Sequence, residues 1–179
     1  MLFRALAACS IAAVTLSSGM AKAQTPPPAA PYPLDTIPDK MPFNVPYGAP
    51  ISAARAQAVI QAAAGEATKR GWPLDIAVVD SGANLVAFLR MDGAQLASIS
   101  IAEHKARASA KFRRPTKVFE EGIQKSDNKY ILTLDDVIGS RGGIPLIEDG
   151  KLIGAVGCSG GTGSQDEVAC MAGAAVVNK

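Results

Sequence analysis

The sequence predicts an α+β sandwich, a largely antiparallel sheet built from two hairpins and covered by helices. Three observations lead there. Two pairs of short apolar runs are joined by tight turns: Leu74 to Val79 with Leu85 to Met91 across Asp80-Ser81-Gly82-Ala83-Asn84, and Ile144 to Ile147 with Lys151 to Cys158 across Glu148-Asp149-Gly150. Stretches with apolar residues at helical spacing surround them. The order is helix, hairpin, helices, hairpin, helix, and tight connections join antiparallel strands.

The chain begins with a segment to be set apart from the fold. Arg4, an apolar run from Ala5 to Leu16 and the small-x-small triplet Ala21-Lys22-Ala23 read as a secretory signal peptide, residues 1–23, cleaved before Gln24. Cys9 precedes most of the apolar run, which argues against a lipid-anchored cysteine. Cleavage takes 23 residues from 179, leaving 156, and removes Arg4 and Lys22, so 16 basic residues face 16 acidic ones. A near-neutral chain gives no electrostatic case for nucleic acid. No second apolar run is long enough to span a membrane, and the expected location is periplasmic or secreted.

Residues 24–50, "QTPPPAAPYPLDTIPDKMPFNVPYGAP", form a proline-rich arm, extended rather than helical. Tyr32, Phe43 and Tyr47 give part of it a means to dock on the body or on a neighbouring subunit; the alternative is a spacer. The domain proper spans residues 51–179. Ser52 caps a helix running to about Arg70, with Ala56, Val59, Ile60, Ala63 and Ala67 on one face and Gly71-Trp72-Pro73 as its stop. After the first hairpin, Leu96 to Phe112 is a helix rich in alanine and serine. It ends at Arg113-Arg114-Pro115, and a shorter helical piece runs from Thr116 to about Lys125. Ile131 to Ile138 is ambiguous. The second hairpin leads into a last helix, beginning at Ser164, with Val168, Met171, Ala172, Ala175 and Val176 on its apolar side.

The chemistry has two candidate locations. The first is the loop "GCSGGTGSQDE". Ser164 and Glu167 have capping-box spacing, and a helix start offers free N–H groups to an anion. No lysine follows the glycines and the spacing is not G-x-G-x-x-G, so nucleotide binding is excluded. A ligand site and a structural turn both remain open. The second is "SISIAEHKARASAKFRRPTK", with His104, the chain's only histidine, among Lys105, Arg107, Lys111, Arg113, Arg114 and Lys117. Ala97, Ser100, Ile101, His104 and Ala108 share one face. The imidazole reads either as packing or as a ligand, and the cations either as a solvated face or as a cradle for carboxylates. The helix's small side chains fit close packing on a sheet or the approach of a flat ligand. A serine triad is not supported, because no G-x-S-x-G accompanies the single histidine. Cys158 and Cys170 read as two small buried apolar residues, with a bridge as the alternative; with one histidine they make no structural zinc site.

"LDIAVVDSGANLVAFLRMDGA", "SISIAEHKARASAKFRRPT" and "GGIPLIEDGKLIGAVGCSGGTGSQDEVACMAGAA", in that order, resemble the GlcG/HbpS family of haem-binding or haem-degrading-type domains over about Ile51 to Val177. The resemblance implies a profilin-like sandwich and a homo-oligomer. It implies an exported haem-binding protein, with haem degradation or oxidative stress as the setting. His104 is then the candidate ligand of the haem iron, and Lys105, Arg141, Ser159, Gly160, Gly161 and Asp166 the lining of a shared pocket. The alternative is an enzyme or accessory protein of hydroxy-acid or aromatic catabolism. There Lys105 and Arg141 would hold the carboxylate of a small acidic molecule. A purely structural assembly module is the third reading.

Overall fold

The computed structural model describes residues 37, 39–41 and 43–178. The chain divides after Asp39, and the fold is that of the unit from Lys40 onward. The expected signal peptide, Tyr32 and most of the arm lie outside the described residues.

Helix α1 (Ala53–Lys69) starts where the sequence places it, with the Ser52 hydroxyl accepting from Arg55 N at 3.4 Å. Strands β1 (Asp75–Asp80) and β2 (Leu85–Arg90) make the first hairpin. Asp80 organises its turn by accepting hydrogen bonds from the backbone of Gly82 and Asn84. Helix α2 (Ala97–Phe112) ends with Arg113 in the left-handed region, and α3 (Lys117–Lys125) follows. The ambiguous stretch is a 3₁₀ turn, Lys129–Thr133, and then irregular backbone. Strands β3 (Gly143–Glu148) and β4 (Lys151–Ser159) form the second hairpin. Asp149 and Gly150 both have positive φ, the geometry a two-residue turn needs to match strand twist. Helix α4 (Gly163–Ala174) closes the fold.

The sheet has the order β2-β1-β4-β3 and every neighbouring pair is antiparallel. The two hairpins therefore join through β1 and β4. Alternation along those strands separates two cores. Ile76 and Val78, with Val156 and Cys158, face α1 and α4, where Val59, Ile60, Ala63, Ala169 and Cys170 meet them. Ala77, Val79, Leu152 and Ala155 face Ala102, Ala106 and Ala110 of α2.

Alanines and glycines let α2 lie on the sheet almost backbone to backbone. A Cβ added to Gly157 of β4 would overlap Ala102 O and stand 2.5 Å from Ala106 N, and one on Gly143 would overlap Lys105 O. Close helix-on-sheet packing thus accounts for the small residues of α2. The cysteines correct the expectation of two unbridged apolar side chains. Cys158 and Cys170 form a disulfide with Cα atoms 5.7 Å apart, tying the end of β4 to the middle of α4.

The last part of the arm docks as its aromatic residues suggested. Strand β4 starts three residues before its pairing with β1 begins at Gly154. Residues 46–51 occupy the vacant edge there: Leu152 N donates to Pro46 O, Gly48 N to Leu152 O and Ile51 N to Ile153 O, at 2.7–2.8 Å. The Tyr47 hydroxyl donates to Lys111 O at 2.7 Å, and Arg113 lies over the Tyr47 ring while donating to Val45 O. Arg114 stacks on Phe43 at 3.1 Å from the ring centroid.

Candidate functional site

Helix α2 and the glycine elbow are brought together, and the contact between them is filled by protein. Lys105 reaches from α2 to place its ammonium 2.7 Å from Asp166 Oδ2, and it also donates to Cys158 O at 3.2 Å. The two side chains are 1% and 3% exposed. Asp166 Oδ1 accepts from Gly161 N at 3.0 Å. One buried carboxylate therefore neutralises the lysine and holds the elbow. Two turns of α2 before Lys105, the Ser159 hydroxyl bonds that of Ser98 at 3.1 Å, also out of water.

The elbow's glycines have local reasons. Gly160 sits at φ 149°, and an added Cβ would stand 2.5 Å from Pro73 O, so the chain after β4 rests directly on the residues that precede β1. The cap of α4 differs from the sequence reading. Thr162, not Ser164, is the N-cap: its hydroxyl accepts from Gln165 N at 3.3 Å, and Gln165 Oε1 accepts from Thr162 N at 2.8 Å. Two capping boxes overlap in this stretch, Thr162/Gln165 and Ser164/Glu167. Tertiary charge selects the first, because Glu167 faces Lys117 and Arg141, each at 3.5 Å.

Arg141 lies beside this helix start. Its Nε donates to Glu120 Oε1 at 2.7 Å and its Nη1 to Glu167 Oε2 at 3.5 Å, and the bond to Glu120 raises the guanidinium pKa further. Both cations assigned to a substrate carboxylate, Lys105 and Arg141, thus already face protein carboxylates. A cleft of about 300 Å³ lies elsewhere, lined by Thr68, Gly71, Trp72, Pro73, Met91 and Asp92, and shares no residue with the expected pocket.

His104 keeps a different status. It is half-buried on α2, and among the described residues its buried Nε2 has no hydrogen-bond partner. A buried imidazole nitrogen normally has a partner, so this atom is free to accept one or to bind a metal. Around it, Arg107 pairs with Glu103 and Lys111 with Asp136. The Arg107 and Lys111 side chains are 39% and 46% exposed. Exposed pairs of this kind contribute roughly 0.2–1 kcal/mol, so an incoming anion could displace either partner.

One buried group escaped the sequence reading. Asp75 opens β1 with no exposure, and among the described residues neither carboxylate oxygen has a partner. It stands opposite Arg90 on β2 and Ser159 on β4. Burial pushes its pKa above the usual aspartate range, with Arg90 opposing the shift. An acid at the head of an otherwise apolar strand was the available signal.

Four antiparallel strands with α2 on one face and α1 and α4 on the other define a profilin-like α+β domain. Residues 51–175 match the family described as haem degrading protein HbpS-like, and the chain belongs to that family. Among relatives, it is similar to protein GlcG of Escherichia coli K12, 40% identical over 108 residues, covering 60% of this chain and 80% of GlcG. Among solved structures, it is similar to a double mutant of HbpS from Streptomyces reticuli, at TM-score 0.68 and 26% identity, covering 79% of this chain and 100% of that one. It is also similar to a PduOC:heme complex, at TM-score 0.65 and 26% identity, covering 72% and 96%.

Proposed function

We propose that the protein binds haem, with His104 offered to the iron and Arg107 and Lys111 to the propionates. The observation that carries this reading is the buried Nε2 of His104 on α2, which has no partner among the described residues. A neutral imidazole nitrogen is an established axial ligand type for haem iron. The flanking cations are held only by exposed ion pairs, so they fit a propionate better than Lys105, whose ammonium is enclosed with Asp166. The family's haem-degrading description and the haem complex of PduOC support the cofactor class.

We further propose that the protein is exported by its first 23 residues, that it self-assembles, and that haem degradation or an oxidative-stress role is its setting. Haem, when bound, would supply a redox-active iron; this chain supplies the imidazole, the cations and the apolar helix face. The small-acid reading has less support, since Lys105 and Arg141 are committed to Asp166, Glu120 and Glu167.

Titration of the purified protein with haemin tests the proposal by absorbance. Saturable binding with a shifted Soret band is expected, with His104→Ala changing the band and weakening binding by at least tenfold. Arg107→Ala combined with Lys111→Ala should weaken binding without altering the band position. An identical Soret band and affinity in His104→Ala would sink the assignment of the ligand.

A further inference from the structure

The cleft of about 300 Å³ opens between the end of α1 and the chain that follows β2, lined by Thr68, Gly71, Trp72, Pro73, Met91 and Asp92. That volume is at the lower end of the ~300–1,000 Å³ typical of small-molecule sites. Hydrogen bonds hold both walls. At the end of α1, Gly71 N donates to Thr68 O at 3.1 Å and Trp72 N to Ala67 O at 3.0 Å. Opposite them, Met91 N donates to Leu74 O at 3.0 Å, and Ala94 N donates to Met91 O at 3.1 Å, closing a turn with Asp92 and Gly93 at its centre. Gly93 has a φ of 83°, as a type II turn requires at its third residue.

The lining is mostly apolar and carries one charge. Trp72 and Met91 are half-buried, and with Pro73 they offer an indole, a thioether and a pyrrolidine ring. Asp92 is exposed, and among the described residues no cation pairs with it. The nearby cations at the end of α1, Lys69 and Arg70, both face Glu66. Three features give the cleft a negative potential: the Asp92 carboxylate, the C-terminal end of the α1 dipole and the face of the indole. Arg70 illustrates the last. Its guanidinium lies 5.1 Å from the centroid of the Trp72 ring, while its Nε donates to Glu66 Oε1 at 2.7 Å, and it takes no part in the lining.

We infer that this cleft binds a small organic ammonium, its charged nitrogen beside Asp92 and the end of α1 and its apolar body against Trp72, Pro73 and Met91. The same potential disfavours an anion, and an uncharged apolar molecule would leave Asp92 without a partner. The site shares no residue with His104, Arg107 and Lys111, so the inference goes beyond haem binding and does not rest on it.

The test uses the full chain without haemin. The probe is 2-phenylethylammonium chloride, with 2-phenylethanol as its uncharged counterpart. Trp72 is the only tryptophan of the chain, so its fluorescence reports on the site. A saturable change is expected with the ammonium, and binding about tenfold weaker or less with the alcohol. By calorimetry, Asp92→Asn should weaken ammonium binding about fivefold. Asp149→Asn, an exposed acid at the opposite end of the sheet, should bind as the wild type does. Trp72→Leu, checked for folding by circular dichroism, should weaken binding about as much as Asp92→Asn. Should it fail to fold, the alcohol and the two aspartate variants decide. No saturable binding overturns the inference. So does equal affinity for the alcohol, an Asp92→Asn protein that binds like the wild type, or an equal loss in Asp149→Asn.

Discussion

Asp75 shows how a single side chain sets a pH dependence. Its carboxyl is buried with no hydrogen bond among the described residues, so the charged form is the one burial penalises. The folded pKa lies above the unfolded one. Between the two the native state holds the extra proton, and stability falls as pH rises through that window. The contribution is fully present below about pH 4, the ordinary aspartate range, and is lost once pH passes the folded value. Replacing the group with Asp75→Val removes both the charge and the unsatisfied oxygens. Denaturant unfolding at pH 7 should show the variant more stable by roughly 1–3 kcal/mol, with the gap narrowing as pH approaches about 4. A variant less stable than wild type at pH 7 would mean that Asp75 has a partner in solution, with Arg90 the first candidate.

At the scale of elements, α2 against β4 is the contact on which the site depends. Because Gly157 faces Ala102 and Ala106 backbone atoms rather than flexible side-chain ends, the structure has little room to yield to a methyl group. Gly157→Ala should therefore cost at the upper end of the 1–3 kcal/mol typical of overpacking, or more. It should also shift the His104 environment, visible as a displaced imidazole resonance by nuclear magnetic resonance. Gly150→Ala, in open space at the β3–β4 turn, meets no neighbour and is strained only by its φ of 71°. It should leave that resonance in place. The strands and helices were readable from the sequence because their causes are local: Ser52 as a cap, Asp149-Gly150 as a turn, Arg113-Arg114-Pro115 as a stop. The start of α4 was not, because two capping boxes two residues apart are locally equivalent, and distant Lys117 and Arg141 decide between them. Lys105 read as a free cation for the same reason: its partner Asp166 is 61 residues away. His104 stood out by being the only histidine, but its missing hydrogen-bond partner is a property of the packed chain.

For the whole molecule, the disulfide is the covalent link between the sheet and its last helix, and it sits where the buried ion pair also acts. Cys158 belongs to β4, and its carbonyl accepts from Lys105; Cys170 lies on α4 one turn after Asp166. The bridge fastens α4 to β4, and the Lys105–Asp166 pair fastens the same helix to α2 one turn nearer the elbow. Sequence spacing alone left the bridge open, since 12 residues can separate two cysteines by many distances. The strand ending at Ser159 and the helix starting at Gly163 bring their Cα atoms together. Closing a loop of this size lowers the entropy of the unfolded chain enough to stabilise the fold by about 3 kcal/mol. Cys158→Ala with Cys170→Ala should lose about that amount, a fall in Tm on the order of 10 °C for a domain of this size. The fold itself should persist, because most of the core on both faces of the sheet is built from side chains other than the two cysteines. Hydrogen exchange should show the loss concentrated in α4 and the elbow, with β1 and α1 protected as before. If exchange in α4 and the elbow instead stayed as slow as in the wild type with no fall in Tm, the last helix would be held by packing and the ion pair alone.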